Sequence, residues 1–404
     1  MSLLARMTPL PAVLLKTLAA ALAVAAVLPA TAAAGERSLL ARAAYVPNDS
    51  GVAAAASTGG WAAVQWELNG PFGIKAPQAW SQASRLGGSG GRGVTIAVLD
   101  SGVAYARRGR YGRSPDLASG RFVKGYDFVD GDPYPNDEYG HGTFVASTIA
   151  ATANNAYGTV GVAYRANIMP IRVLDSEGRG FPSVIARAIR YAVRNGADVI
   201  NLSLELYDGP PLAQTPRSVT ASRGVRAALA DARRAGVVVV SAAGNSSDPN
   251  VPSKKYDTLA INVGGTTEHG CIGAYSNHGP GLDLVAPGGG ADADIAGDVN
   301  GDPAGPAGRD ISGVSFRAES PMQFEILPRF RGTSTASPHV AGVVALVLAS
   351  GILGKDPTPG AVERHLDATA HDLGVAGRDR FYGAGLVDAA AATVAAPAAV
   401  TPSG

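Results

Sequence analysis

Apolar runs that alternate with helical stretches constrain the fold of this chain more than any other feature of its sequence. The runs cover residues 94–99, 168–173, 198–203 and 237–242, and the helical stretches cover residues 141–152, 181–195 and 222–235. Short runs that are mostly apolar are typical of strands buried on both faces, and their alternation with helices builds a mainly parallel sheet. The sequence therefore predicts an α/β fold in which helices cover both faces of a central sheet.

Two of the predicted strands lead into polar residues that could take part in chemistry. Asp100 follows the run 94–99 directly, and Asn245 follows the run 237–242 after one alanine and one glycine. Functional loops of a parallel sheet gather at the carboxyl ends of its strands, so we expect these two side chains at one edge. Taken alone, the Gly-Asn pair could equally be a turn at a strand end.

Two predicted helices begin beside a residue that could react. Ser334 lies in residues 332–342 (Gly-Thr-Ser-Thr-Ala-Ser-Pro-His-Val-Ala-Gly), at the entry to an apolar helix. A hydroxyl there lies at the positive end of the helix dipole, although Ser and Thr are also ordinary helix caps. His141 stands between two glycines at the start of another apolar helix, where a histidine can also be a capping or surface residue. Together with Asp100, these residues supply an alcohol, an imidazole base and a carboxylate that fixes the tautomer of the base.

These motifs resemble those of the subtilases, the subtilisin-like serine proteases, and in pattern the thermitase-like secreted bacterial members. They are residues 98–102 (Val-Leu-Asp-Ser-Gly), 141–143 (His-Gly-Thr) and 332–339 (Gly-Thr-Ser-Thr-Ala-Ser-Pro-His), in the chain order Asp, His, Ser that is typical of the family. The resemblance covers about residues 45–392. It implies a three-layer subtilisin-like fold in a single domain.

The resemblance also implies a function for individual residues. The chain would be a serine endopeptidase that hydrolyses peptide bonds through an acyl-enzyme. The catalytic roles implied are orienting acid for Asp100, general base for His141, nucleophile for Ser334 and oxyanion donor for Asn245. The implied substrate-binding residues are Ser203, Leu204, Glu205, Ala242 and Gly244. The family commonly has a glycine where this chain has Glu205, whose carboxylate could favour basic substrate side chains or could point to solvent.

A function of another class is also compatible with the motifs. A catalytically silent binding or structural protein could retain them on a subtilase scaffold whose cleft is blocked or which never matures for want of a prodomain. Residues 288–330 form an insertion longer than in the small members of the family, and this insertion could block the cleft. An enzyme with these motifs could also hydrolyse esters instead of peptides. The methionine that usually follows the nucleophile is replaced by Thr335, which removes no reacting group.

Acidic segments predict structural calcium. Asp127, Asp130 and Asp132 lie in a turn-rich loop just before His141. Hard oxygen ligands at this density suit calcium, although a solvated acidic loop has the same composition. The loop is similar to a calcium loop of thermitase-like subtilases, which favours the metal.

Two further calcium sites are possible. The same resemblance implies one that draws on distant parts of the chain, with Asp49, Asp116 and Asn155 as ligands and loop carbonyls completing the shell. A weaker signal is Asp298 with Asn300 and Asp302, whose alternating oxygen ligands lack the glutamate that closes an EF-type loop.

The amino-terminal residues predict export. Arg6 and Lys16 precede an apolar stretch from residue 18 to residue 28, and small residues follow, which is the pattern of a secretory signal. An uncleaved membrane anchor is the alternative, but the apolar stretch is short for a span. We therefore expect a signal peptide at residues 1–34, a short linker with no recognisable prodomain at 35–44, the catalytic domain at 45–392 and a disordered tail at 393–404.

Composition narrows the class of partner. The chain has 404 residues, of which 46% are hydrophobic and 17% charged, with a formal net charge of +1. A chain of this kind can bury a large core and has no overall field to attract nucleic acid. Its single cysteine, Cys271, excludes an intramolecular disulfide. We expect a secreted monomer that acts on proteins or peptides, binds no nucleic acid and, once mature, no membrane.

Overall fold

A computed structural model describes residues 46–51, 60–118, 121–204, 206–208, 215–217, 222–251, 259–296 and 298–394. For 206–208 and 215–217 only the backbone is described. The predicted signal peptide, the predicted linker, Glu205 and most of the predicted tail lie outside these residues. All described residues belong to one compact unit, Ala43–Gly404.

A seven-stranded sheet forms the centre of this unit. The strands of the described chain are Thr95–Asp100 (β1), Tyr126–Asp127 (β2), Asn167–Arg172 (β3), Val199–Leu202 (β4), Leu206–Asp208 (β5), Thr215–Arg217 (β6), Val238–Ala242 (β7), Ile261–Thr266 (β8), Leu284–Pro287 (β9), Ile311–Phe316 (β10) and Phe324–Phe330 (β11). The central sheet has the order β2-β3-β1-β4-β7-β8-β9, and all its neighbouring strands run parallel. Because β1 lies inside the sheet, its carboxyl end at Asp100 is flanked by other strand ends.

Helices cover both faces of the sheet. They are Trp61–Val64 (α1), Trp66–Asn69 (α2), Ala76–Arg85 (α3), His141–Ala150 (α4), Pro182–Arg194 (α5), Arg223–Arg234 (α6), Thr333–Ser350 (α7), Pro359–Thr369 (α8) and Ala389–Ala392 (α9), with a short 3₁₀ turn at Ser89–Gly91. Helices α5 and α6 pack on one face, and α7 packs against strands β4, β7, β8 and β9.

Strand β1 shows why three layers form. Ala97 and Leu99 join the apolar cluster under α5 and α6, and Ile96 and Val98, which are also fully buried, point to the opposite face. A strand with apolar side chains on both faces can satisfy this burial only between two layers of helices. The predicted three-layer α/β fold with a mainly parallel sheet is therefore confirmed.

Helix α7 is the buried centre of one layer. Within the described part of the chain, it is the one helix whose length and composition would allow it to cross a membrane, and 78% of it is buried inside the protein. It is apolar all round because the sheet, α3 and α4 contact it from several sides. Its apolar character therefore reflects its place in the core.

One predicted helix begins and ends earlier than expected. The resemblance to the subtilases also implies a closing helix at residues 363–373, whereas α8 spans Pro359–Thr369. The Thr358 hydroxyl accepts a hydrogen bond from the Ala361 N–H, and Pro359 has the backbone angle that favours the first helical position. The cap determines the start of this helix more than the apolar spacing does.

The insertion at residues 288–330 ends in a β-hairpin that packs on helix α4. Strands β10 and β11 pair antiparallel, and the Phe330 ring at the end of β11 stacks on Phe144 with centroids 3.7 Å apart. The Val314 N–H also donates to the Ser147 hydroxyl over 3.1 Å. The hairpin therefore lies beside the helix that begins at His141.

We predict that Leu346→Ala lowers the free energy of unfolding by about 2–5 kcal/mol, because it leaves a cavity in the core around a fully buried side chain of α7. Denaturant unfolding followed by circular dichroism measures the change, in a Ser334→Ala background to prevent self-digestion. The matched control is Leu348→Ala on the same helix, where the side chain is only half-buried and the loss should be smaller. Equal losses in the two variants would contradict this description of the core.

Candidate active site

Asp100 and His141 meet at the carboxyl edge of the sheet. The imidazole Nδ1 lies 2.8 Å from Oδ1 of Asp100, and the Ser101 N–H donates to the same oxygen over 2.7 Å. A carboxylate can only accept here, so Nδ1 is the protonated nitrogen of the neutral ring and Nε2 keeps its lone pair. The Asp100 side chain is fully buried, whereas that of His141 is 19% exposed. An imidazole held in this way can accept a proton from a group on its open side.

The charge balance around His141 favours the protonated ring more than burial disfavours it. Burial lowers the pKa of His141, but the charge and hydrogen bond of Asp100, with a smaller contribution from Asp137, raise it above its ordinary value overall. The carboxylate therefore both orients the ring and stabilises the imidazolium.

Asp137 fastens the start of helix α4. Its carboxylate accepts hydrogen bonds from the backbone N–H groups of Tyr139, Gly140 and Thr143 and from the hydroxyls of Ser101 and Thr143. These bonds satisfy amide groups that the first turn of a helix leaves unpaired. Since Ser101 follows Asp100, the same carboxylate holds the two motifs together.

Gly142 allows the close approach of strand β1 to helix α4. A Cβ atom at Gly142 would lie 2.1 Å from the carbonyl oxygen of Gly102 and 3.0 Å from Cβ of Asp100. Any side chain would therefore push His141 away from Asp100. The glycine after the histidine is a steric requirement of the hydrogen bond.

Ser334 lies in the first turn of helix α7, two residues after Gly332, whose backbone conformation favours glycine. Gly332 has φ of 137°, outside the range that side chains tolerate well. The hydroxyl of Ser203 donates to the carbonyl oxygen of Ser334 over 2.8 Å and lies at the same distance from the Ser337 hydroxyl. These bonds fix the turn to the end of strand β4.

Asn245 is oriented by the residue before Ser334. Its Oδ1 atom accepts hydrogen bonds from the N–H of Thr333 over 2.8 Å and from the Thr333 hydroxyl over 3.1 Å. That hydroxyl accepts in turn from the N–H of Gly244 over 3.1 Å. With Oδ1 held by the helix, the amide turns its Nδ2 donors away from Thr333.

One open cavity joins these groups. It has a volume of about 260 Å³, and Ser334, His141 and Asn245 all contribute to its wall. The remaining lining residues are Tyr139, Leu174, Glu177, Gly178, Ser203, Leu204 and Ala242. An alcohol, an imidazole and an amide that share one cavity can perform acyl transfer.

Comparisons with known proteins agree with this geometry. A model of the Subtilase family matches residues 91–385. The chain belongs to the subtilase family. It is 36% identical to subtilisin BL from Lederbergia lenta over 325 residues, which cover 80% of this chain and 98% of that protein. It is 34% identical to thermitase from Thermoactinomyces vulgaris over 284 residues, 70% of this chain and 82% of that protein.

A solved structure gives the same result. The subtilase chain is similar to proteases from Pseudoalteromonas arctica PAMC 21717, with 31% identity and a TM-score of 0.62, over 86% of this chain and 99% of that one. The protein is therefore a subtilisin-like serine peptidase.

The structure places most of the predicted substrate-binding residues of this subtilase at the cavity. Ser203, Leu204 and Ala242 line it, whereas Gly244 contributes the backbone N–H bonded to Thr333. The Ser203 hydroxyl is engaged by helix α7, so its main contacts are structural. Glu205 lies outside the described residues, and its two predicted orientations stay open.

Some residues of the site were not predicted from the sequence. Leu174 and Glu177, which follow strand β3, line the cavity because a third strand end reaches the same edge. Their position after a predicted apolar run was the available signal. Thr333 orients Asn245, and Asp137 holds the first turn of helix α4. Their position beside the motifs is the one sequence feature that indicates these roles.

The predicted calcium ligands Asp49, Asp116 and Asn155 converge in the subtilase structure. Asp49 and Asp116 are both fully buried, and the Asn155 amide donates to Oδ1 of Asp116 over 2.8 Å while its N–H lies 3.2 Å from Oδ1 of Asp49. Burial raises the pKa of Asp116 to about 7, and the charge of Asp49 adds to this. The Asn155 oxygen accepts the Tyr157 N–H, and the carboxylates accept the N–H groups of Asn154 and Thr159, so a hard cation here would share these oxygens with the loop.

The predicted calcium ligands Asp127, Asp130 and Asp132 lie in a loop beside a buried arginine. One guanidinium nitrogen of the buried Arg172 lies 2.9 Å from Asp127 and 2.7 Å from Asp130, and another lies 2.7 Å from Glu138. Asp132 accepts the N–H of Tyr134. Arg172 thus supplies the positive charge that a cation would bring, and this donor set fits calcium poorly.

The third predicted set is also partly engaged. Both carboxylate oxygens of Asp298 accept the Tyr382 hydroxyl, at 2.8 and 3.0 Å. Among the described residues, no group of three or more His, Cys, Asp or Glu side chains is arranged to hold a metal ion. Any calcium site built from them would depend on amide and carbonyl oxygens as well.

We predict that Asp100→Asn lowers the pKa of His141 below the ordinary value near 6.5, because the carboxylate charge is lost while burial remains. In the parent protein the same pKa should lie above that value. Titration of ¹³C-labelled histidine by NMR measures both, and a His141→Gln variant assigns the signal. A pKa in Asp100→Asn that equals or exceeds that of the parent would contradict the assigned charge balance.

Proposed function

We propose that this subtilase is a secreted endopeptidase in which Ser334 is the nucleophile and His141 the general base. The observation that supports the proposal most is the shared cavity, in which an imidazole held by Asp100, the Ser334 hydroxyl and the oriented amide of Asn245 face one space. Membership of the family establishes serine peptidase chemistry, and the roles of individual residues are the proposal.

The first step forms an ester on the enzyme. The Ser334 oxygen attacks the carbonyl carbon of the substrate while Nε2 of His141 takes the hydroxyl proton. Asp100 stays ionised and stabilises the imidazolium through the bond to Nδ1. The imidazolium then gives its proton to the leaving amine, and the carbon–nitrogen bond breaks.

Asn245 stabilises the charge that develops on the carbonyl oxygen. Its Nδ2 donates to the oxyanion because Thr333 occupies the other end of the amide. In the second half of the reaction, His141 takes a proton from water and the water oxygen attacks the ester. The bond between the acyl carbon and the Ser334 oxygen then breaks, and the imidazolium returns its proton to that oxygen as the acid leaves.

The catalytically silent alternative is disfavoured by the position of the insertion. The hairpin β10–β11 packs beside helix α4, and the cavity at Ser334 is open. Proteins or peptides are the proposed substrates, and esters could enter by the same chemistry.

We further propose one structural calcium, held by Asp49, Asp116 and Asn155 together with carbonyl oxygens of the same loop. A calcium ion there would neutralise two buried carboxylates and tie residues 46–51 to the rest of the domain. The sets around Asp127 and Asp298 stay predictions. Secretion is proposed from the signal-like pattern of residues 1–34.

We predict that a fluorophosphonate probe labels the protein at Ser334 and that Ser334→Ala abolishes both labelling and peptide hydrolysis, because the probe reacts only with an activated serine. Mass spectrometry of the adduct locates the labelled residue. A folded protein that hydrolyses no peptide and takes up no probe would favour the catalytically silent alternative.

Asn245→Ala provides the matched control for the oxyanion role. It should lower kcat by about 100- to 1,000-fold, a magnitude taken from removal of the corresponding donor in a subtilisin, and Ser334 should remain the labelled residue. A peptide digest compared with ester hydrolysis in the same variants distinguishes a peptidase from an esterase.

We predict that chelation lowers the melting temperature by about 5 °C, because an ion bound only by the native state stabilises it by mass action. Asp116→Asn should remove this response, whereas Asp130→Asn, whose carboxylate pairs with Arg172, should retain it. Differential scanning calorimetry in a Ser334→Ala background measures the shifts. An unchanged melting temperature of the parent after chelation would contradict the calcium proposal.

A further inference from the structure

A second cavity also includes His141, but neither Ser334 nor Asn245 lines it. It has a volume of about 430 Å³ and shares only Tyr139 and His141 with the first cavity. Apart from Gly140, its remaining lining comes from the hairpin of the insertion: Phe316, Arg317, Ala318, Glu319, Leu327, Arg329 and Phe330. The insertion therefore builds the wall of a groove that continues from the candidate active site.

The position of His141 indicates which part of a substrate would enter this groove. In the proposed mechanism the imidazolium gives its proton to the leaving amine, so the chain that follows the scissile bond must pass close to His141. The acyl part remains bonded to Ser334 and faces Asn245. A groove that includes His141 but neither of these two residues lies on the leaving-group side.

A β-bulge in the hairpin presents an arginine to this groove. Ile311 pairs with Phe330 and Ser312 pairs with Pro328, so Arg329 is an extra residue without a partner across the ladder. Leu327 and Phe330, three positions apart, both line the groove as a result. Bulges beside active sites commonly redirect one side chain, and the exposed Arg329 is the residue concerned here.

The other charges of the groove are largely balanced. The Nε atom of Arg317 lies 2.6 Å from Oε1 of Glu325, and Glu319 at the turn of the hairpin also attracts Arg317. Among the described residues, Arg329 has no ion-pair partner. The groove thus combines the apolar side chains of Leu327 and Phe330 with one arginine that forms no ion pair among the described residues.

We propose that the hairpin forms a binding site for the substrate segment after the scissile bond, and that Arg329 selects an acidic side chain there. This inference rests on the proposed function, because it assigns the groove by the path of the leaving amine. Arg329 is a specificity-determining residue in this proposal and takes no part in the chemical steps.

Peptides with an internal quencher test the selectivity. They share one sequence before the scissile bond and carry aspartate, glutamine or lysine at each of the first three positions after it. At one of these positions, kcat/KM for aspartate should exceed that for lysine about tenfold. An exposed ion pair changes kcat/KM about threefold, so attraction of aspartate and repulsion of lysine by Arg329 together give about the square of that factor. The preference should weaken as salt is added.

Variants distinguish the effect of Arg329 from that of the overall charge of the protein. Arg329→Gln should remove the preference and Arg329→Glu should reverse it, whereas Arg92→Gln, an equal charge change at the amino end of strand β1, should leave it intact. A parent protein without discrimination at any of the three positions would overturn the proposal. So would an Arg329→Gln variant with the preference of the parent.

Two measurements distinguish a failure of the groove assignment from a failure of the proposed catalytic function. Fluorophosphonate labelling and hydrolysis of a peptide nitroanilide involve no residue after the scissile bond, so neither should change in the Arg329 variants. If the parent protein fails in both, the proposed function is wrong and the groove assignment falls with it. If both succeed and the selectivity test fails, only the groove assignment is wrong.

Discussion

The short hydrogen bond between the buried Asp100 carboxylate and the His141 imidazole is the interaction on which the rest of the site depends. It joins the end of a central strand to the start of a helix from another part of the chain. Three features maintain it: Gly142 leaves room for the approach, Asp137 fixes the first turn of the helix, and the Ser101 N–H shares the carboxylate oxygen. Because burial disfavours both charges, this contact also determines which form of the imidazole the protein stabilises.

Helix α7 organises the other half of the site. Its apolar body is buried in the core, so the polar residues of its first turn are held in place. Thr333 orients the amide of Asn245, and Ser203 anchors the backbone beside Ser334. The core therefore provides the rigidity that a preorganised site needs, and few of the bonds involved are visible as a motif.

Charges that look alike in the sequence have different partners in the structure. Asp127 and Asp130 face Arg172 from strand β3, whereas Asp49 and Asp116 are buried together beside Asn155. The loop with the higher density of carboxylates is thus the poorer candidate for calcium. Counterions from distant strands decide this, and local composition does not reveal them.

The apolar runs were enough to predict the layers of the fold, since each requires burial on both faces, and four motifs at strand ends and helix starts indicated the candidate site. How the remaining groups meet is visible only in the folded protein. The role of Thr333, the pairing of Arg172 and the bulge at Arg329 all depend on contacts between segments far apart in the chain. Periodicity reports what a segment must bury, but hydrogen bonds and ion pairs depend on which segments the fold places side by side.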